Sequence, residues 1–370
     1  MNTALSNKHK EYLDRKHFGS LDGVRCLAIV AVIWHHSGPQ PTTLLARGFL
    51  GVDLFFVLSG FLIVTLLLRE KDQRKQISLR DFYMRRSLRI FPIYYGLLLA
   101  LAVLYLLMPG LAESQQYFQD LPYFATYTSN WLHTGTPNMG MTWSLAAEEQ
   151  FYLLWPLAEK FLPPLLVYTL LAAFLAVNQA INYGLTDNLW RSTVGSEPDL
   201  HILDATFTPI LLGVLLAHLL HHGRSFACIY HLTSHKLAGL LWGALLITAI
   251  HFAPPDISGT PRLIIQLLMT IWLGSLVVHE KHLLARPLGL GPIARIGAIS
   301  YGMYLFHMFA LHIARETIDR VSILQWSGSL FLLGLVITLI MAEISYRFYE
   351  TPFLKLKHRF AWQQKPTADH

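Results

Sequence analysis

Apolar residues in this chain run in long stretches, and polar residues collect in the gaps between them. Ten such stretches occur, at roughly 20–37, 48–68, 90–108, 144–162, 164–182, 203–221, 236–253, 262–280, 297–315 and 328–348. Each has about the length a helix needs to cross a hydrocarbon core. Pro39, Pro41, Pro109-Gly110, Pro163-Pro164, Pro254-Pro255 and Pro287 punctuate the gaps. The pattern predicts an all-α, polytopic membrane protein of about ten transmembrane helices around a central cavity. The border between 144–162 and 164–182 is the least defined, because their connection is very short.

Composition supports the same class. The chain is 53% hydrophobic and 14% charged, with a mean hydropathy of +0.40. A soluble domain carries about 25% charged residues. Cys26 and Cys228 lie far apart, in or beside apolar stretches, which is neither a disulfide framework nor a metal-ligand spacing. Polar residues through Phe18 lead into the first apolar stretch without a small-residue cleavage site, so the first helix is expected to be retained. One integral-membrane domain over 1–370 is expected, with its core at about 20–352 and a short tail at each end.

The formal charge of +6 changes the picture only through its placement. With the N-terminus inside, the outer loops hold only Arg47, Arg191, Arg262, Arg315 and Arg320. Arg25 sits within the first stretch, and every other Lys and Arg falls on the inner side. That asymmetry follows the positive-inside rule, so both termini are expected in the cytoplasm. The charge is a topology signal and not a nucleic-acid footprint. The basic tail 351–370 is expected to lie on the inner lipid surface. The loop 109–143 has no Lys or Arg but carries Trp131 and several tyrosines. It suits a surface that meets a substrate, and equally an ordinary interfacial loop.

Candidate chemistry sits inside the apolar stretches and at their ends. Arg25 and His36 are eleven residues apart in the first. At about 100° per residue they return to nearly one face, separated by a rise of roughly 16 Å. A cation and an imidazole there are costly in lipid and suggest a lined cavity. Histidine is also the usual residue for proton transfer near neutral pH. The competing reading has Arg25 snorkelling to the interface and His36 bonded to a neighbouring helix. Asp53 lies at the same end as His36 and suits orienting its ring. Ser59-Gly60 reads as close helix packing, with no Gly-x-Ser-x-Gly elbow to support a serine nucleophile. Arg86 and Arg89 share a helix face and suit either phosphate groups or plain membrane anchoring. Glu148 and Glu149 open the fourth stretch. The helix dipole accounts for one of them, and the other needs a cation or imidazolium in the bundle. His307 is mid-helix, lining the cavity or satisfied in the core. Glu350 is expected to pair with a basic residue at the inner surface.

Six of these stretches together resemble the membrane-bound acyltransferase 3 family, which includes bacterial O-antigen and exopolysaccharide O-acetyltransferases. They are Arg25-x10-His36, Asp53-Leu-Phe-Phe-Val-Leu-Ser59-Gly60-Phe, Arg86-x-x-Arg89-x-x-Pro92, Trp143-Ser144-x-x-x-Glu148-x-x-Phe-Tyr152, Ser300-Tyr-x-x-Tyr304-x-x-His307 and Glu350-x-Pro352, in that order. The resemblance runs from about Leu21 to Pro352. It implies transfer of an acyl group, usually acetyl from cytoplasmic acetyl-CoA, to a hydroxyl of a carbohydrate or cell-surface glycan, without a metal. It implies His36 as catalytic base, Arg25 as essential, and Arg86 and Arg89 on the donor side. Glu148 or Asp53 is expected to orient His36, and Trp143, Ser144, Tyr304 and His307 to meet substrate. The expected location is the bacterial cytoplasmic (inner) membrane. Oligomeric state is not legible. The rival from another class is a glycan or lipid-precursor transporter without chemistry of its own.

Overall fold

A computed structural model of the chain describes residues 3–15, 17–38, 44–131, 135–185, 207–254, 257–321, 326 and 328–360. Among the described residues there are helices and turns and no strand. In chain order they are α1 (Thr3–Asp14), α2 (Ser20–His36), α3 (Leu50–Arg74), α4 (Leu79–Leu107), α5 (Ala112–Ala125), α6 (Thr142–Phe161), α7 (Pro164–Asn182) and α8 (Thr208–His221). Then follow α9 (Gly223–Thr233), α10 (Ala238–Phe252), α11 (Gly259–Val278), α12 (Ala285–Leu288), α13 (Gly291–Ala298), α14 (Ser300–Arg320), α15 (Ser329–Ile344) and α16 (Thr351–Leu356).

Each of the ten apolar stretches falls on a helix where it is described, with 203–206 outside the described residues. Five described helices are long and apolar enough to cross a membrane, or up to seven if each of two bent pairs is one span. The spans are fewer than the apolar stretches for a physical reason. α2 has 17 residues and carries Asp22 and Arg25, and α6 carries Glu148, Glu149, Glu159 and Lys160. Helices that hold such groups gain their place from neighbours and not from lipid. The chain is a multi-pass membrane protein.

Helix α3 is the centre, with 78% of its apolar window buried, against 17% for α7 and 22% for the span beginning at Ser329. It is held by glycine. A Cβ on Gly60 would lie 2.0 Å from the Ile210 carbonyl oxygen, and one on Gly213 of α8 would lie 2.2 Å from that of Val57. Each glycine thus admits the other helix's backbone. The first turn of α2 is clasped in the same way by α13, where a Cβ on Gly297 would meet the Asp22 carbonyl oxygen at 1.8 Å.

Two departures from straight spans shape the site. α5 folds back along α4. Tyr117 donates to the Leu98 carbonyl at 2.6 Å, and Tyr94 and Tyr95 donate to those of Phe124 and Ala125 at 2.9 Å. At the end of α15 the helix widens into a π turn over Ser345–Glu350, a distortion that re-aims side chains. It turns Glu350, 8% exposed, inward.

Candidate active site

A cavity of about 590 Å³ opens among α2, α3, α4, α6, α14 and the π turn. Five of its lining residues are cations, namely Arg25, Arg69, Arg86, Arg89 and Lys357, against the carboxylates of Asp22, Glu148 and Glu350. Arg25 is tied to Asp22, one turn earlier, at 2.5 Å. Arg69 donates to the carbonyls of Tyr12 at 2.8 Å and Arg15 at 2.6 Å, closing the C-terminus of α1. Arg86 lies flat over the Tyr152 ring, 3.8 Å from its centroid, and its buried Nε has no hydrogen-bond partner. Among the described residues neither Arg86 nor Arg89 has a carboxylate within ion-pair distance. Lys357 lies outside the spans, and burial together with Arg89, Arg86 and Arg85 pushes its ammonium down to about 8. This end of the cavity is short of anions.

Midway, Glu148 accepts hydrogen bonds from the Tyr152 hydroxyl at 2.7 Å and from the Ser59 hydroxyl, and Ser59 also touches the Tyr152 hydroxyl. Glu148 and Tyr152 are one turn apart on α6 and share a face. At the far end Ser144 and Tyr304 join their hydroxyls at 2.6 Å. The Tyr304 ring stands 5.4 Å from that of His307, and His307 stands 5.0 Å from His36. The ring series Tyr304–His307–His36 forms a layer, and the cavity lining ends at Tyr304.

Both histidines have a fixed tautomer. His36 Nδ1 contacts the Val32 carbonyl at 2.9 Å and His307 Nδ1 the Tyr304 carbonyl at 2.6 Å. A carbonyl only accepts, so each Nδ1 carries the hydrogen and each Nε2 keeps a lone pair. His307 is 0% exposed and its Nε2 is unpartnered.

Eight of the residues singled out in the sequence therefore line one space: Arg25, Ser59, Arg86, Arg89, Ser144, Glu148, Tyr304 and Glu350. His36 and His307 lie behind its end wall. Asp53 does not orient His36: it accepts from Gln266 Nε2 at 2.9 Å and faces Arg262 at 3.4 Å, both on α11. Glu148 is likewise bonded to Ser59 and Tyr152 and not to the imidazole. Trp143 is 36% exposed and packs edge-on against Phe56. Glu350 accepts from Ser345 at 3.1 Å and not from a base. Ser59 reads differently from its neighbour. Gly60 packs helices as expected, while Ser59, one residue earlier, turns into the cavity. Lys357 escaped the sequence reading because it sits among other tail lysines with no motif around it.

Residues 18–344 match the family model described as an acyltransferase domain. This chain belongs to the acyltransferase 3 family. It is 29% identical over 387 residues to the peptidoglycan O-acetyltransferase OatA of Listeria monocytogenes, covering 96% of this chain and 60% of that protein. It is 28% identical over 379 residues to the O-acetyltransferase OatA of Staphylococcus aureus, with the same coverage of 96% and 60%. The chain thus spans about 60% of the length of these relatives. No solved structure matches it. The family favours group transfer over the transporter reading.

Proposed function

We propose that this chain is a membrane O-acyltransferase that takes an acetyl group from acetyl-CoA on the cytoplasmic side and passes it to a hydroxyl of a cell-surface glycan. The observation that carries the reading is one cavity with unpaired guanidiniums at one end and two lone-pair imidazoles behind the other. Planar guanidiniums suit the phosphates of coenzyme A as bidentate partners. The orphaned Arg86 Nε fits such a donor. The pantetheine arm would then lie along Tyr152, Ser59 and Glu148, bringing the thioester toward Tyr304.

The acceptor reaches the imidazole layer from the outer side, where His36 is half-buried. An imidazole Nε2 takes the proton of the attacking hydroxyl. The new bond joins that oxygen to the acyl carbon, the C–S bond breaks, and the proton passes from the imidazolium to the thiolate. General base catalysis of this kind contributes about 10²–10⁴-fold. The name of the Listeria relative supports a peptidoglycan sugar as one acceptor. Ten spans with both termini cytoplasmic, in the bacterial cytoplasmic membrane, complete the reading. Asp53 then serves by fixing α3 to α11, and Trp143 by lining the outer approach.

The test is transfer by the purified full chain. Wild type should release free CoA thiol in the presence of a glycan acceptor, and His36→Ala should lose at least about 10²-fold while keeping its expression and melting temperature. Full activity in His36→Ala removes His36 from the mechanism.

A further inference from the structure

The two adjacent glutamates of α6 point to different places, and the cavity accounts for only one. Glu149 does not line it and accepts no hydrogen bond among the described residues. Its electrostatic neighbours are Arg86 of α4, Tyr94 and Tyr95 of α4, Tyr127 of the loop after α5, and Tyr301 of α14. Here α4 and α6 are joined through side chains, with Tyr83 donating to the Leu153 carbonyl at 2.8 Å and Arg86 resting on Tyr152.

Three of the buried polar atoms without a partner belong to that same set: Arg86 Nε, the Tyr127 hydroxyl and the Tyr301 hydroxyl. Tyr127 is only 7% exposed. Buried polar groups are normally satisfied, so a carboxylate, a guanidinium edge and two phenols left open together mark a place for a polar guest. The enclosing loop is built rigidly. Tyr127 holds φ +53°, a left-handed conformation that a tyrosine adopts only when its surroundings require it. Its carbonyl accepts from Gln150 Nε2 at 2.7 Å, Asn130 exchanges hydrogen bonds with Gln150, and its ring stacks on Tyr94 at 4.5 Å. The loop follows α5, which folds back along α4 and so sets Tyr127 beside Tyr94 in the middle of that helix.

We infer that Glu149, Tyr127 and Tyr301 form a binding subsite for a sugar residue of the acceptor, beside the donor cavity, which Tyr301 also lines. The carboxylate takes hydrogen bonds from sugar hydroxyls, and the two phenols donate to or accept from their neighbours. Tyr301 lies one helical turn from Tyr304, which sets the subsite beside the transfer layer. This inference rests on the acyltransferase reading.

The experiment uses the full chain in lipid nanodiscs, with acetyl-CoA and a soluble N-acetylglucosamine tetrasaccharide as probe. Glu149→Gln is expected to raise the KM for the tetrasaccharide about tenfold, with the KM for acetyl-CoA and the melting temperature unchanged. Tyr127→Phe, which removes one oxygen, should raise it by a smaller factor in the same direction. Unchanged tetrasaccharide kinetics in both variants overturn the subsite, as does a joint fall in donor and acceptor kinetics with lost thermal stability, which marks a purely structural role. A wild type that transfers no acetyl to the tetrasaccharide overturns the proposed acceptor, and the subsite with it.

Discussion

Lys357 gives the cationic end of the cavity a pH dependence. Arg85, Arg86 and Arg89 crowd it from α4, and its ammonium is held at about 8. A lowered lysine gives up its proton as pH rises, so the cavity mouth is fully charged below about 8 and has lost one cation above it. A phosphate bound there favours the protonated form. The KM for acyl-CoA should therefore rise between pH 7 and pH 9, and Lys357→Met should flatten that rise while raising the KM at pH 7. Initial rates across that range check it; an identical slope in Lys357→Met assigns the effect elsewhere. At this scale the sequence was a partial guide. Glu148 was legible because an apolar stretch makes any charge conspicuous, and Arg86 and Arg89 because their spacing puts them on one helix face. The partners of Asp53 were not, because Arg262 and Gln266 lie more than two hundred residues away and nothing local marks them.

At the scale of elements, the mutual entry of Gly60 and Gly213 makes the α3–α8 crossing intolerant of any added carbon. A methyl at Gly60 meets a backbone carbonyl, which cannot rotate aside as a side chain could. Gly60→Ala should thus force the helices apart and cost roughly 1–3 kcal/mol, the usual range for overpacking. The same substitution at Gly110, which has nothing within 4 Å of its Cβ position, should be close to neutral. Thermal unfolding of the detergent-solubilised variants separates the two. Gly60 was read from sequence as a packing residue, and its neighbour Ser59 was absorbed into that reading, since residues one apart on a helix face different ways. Element positions were largely legible, because apolar length is a strong signal. The reversal of α5 was not, because its anchors are tyrosine hydroxyls reaching carbonyls on α4, a contact that leaves no periodicity.

At the scale of the molecule, orientation decides which end of the cavity meets which substrate, and the chain carries its own probe for it. α8 and α9 meet at a bend of 106°, so α9 runs across the direction of α8. Arg224, Cys228 and His231 are exposed and recur at spacings of four and three residues, which is one helix face. Its exposed groups suit a membrane surface. On the proposed topology that surface faces the cytoplasm. Cys26, the other cysteine, is buried in α2. A membrane-impermeant maleimide should then label inverted membrane vesicles and leave right-side-out vesicles unlabelled, with Cys228→Ser abolishing the signal. Labelling from the outside would turn the molecule over. It would put the guanidiniums of Arg86 and Arg89 on the side away from acyl-CoA and so remove the donor route through the cavity, even with every helix in its present place.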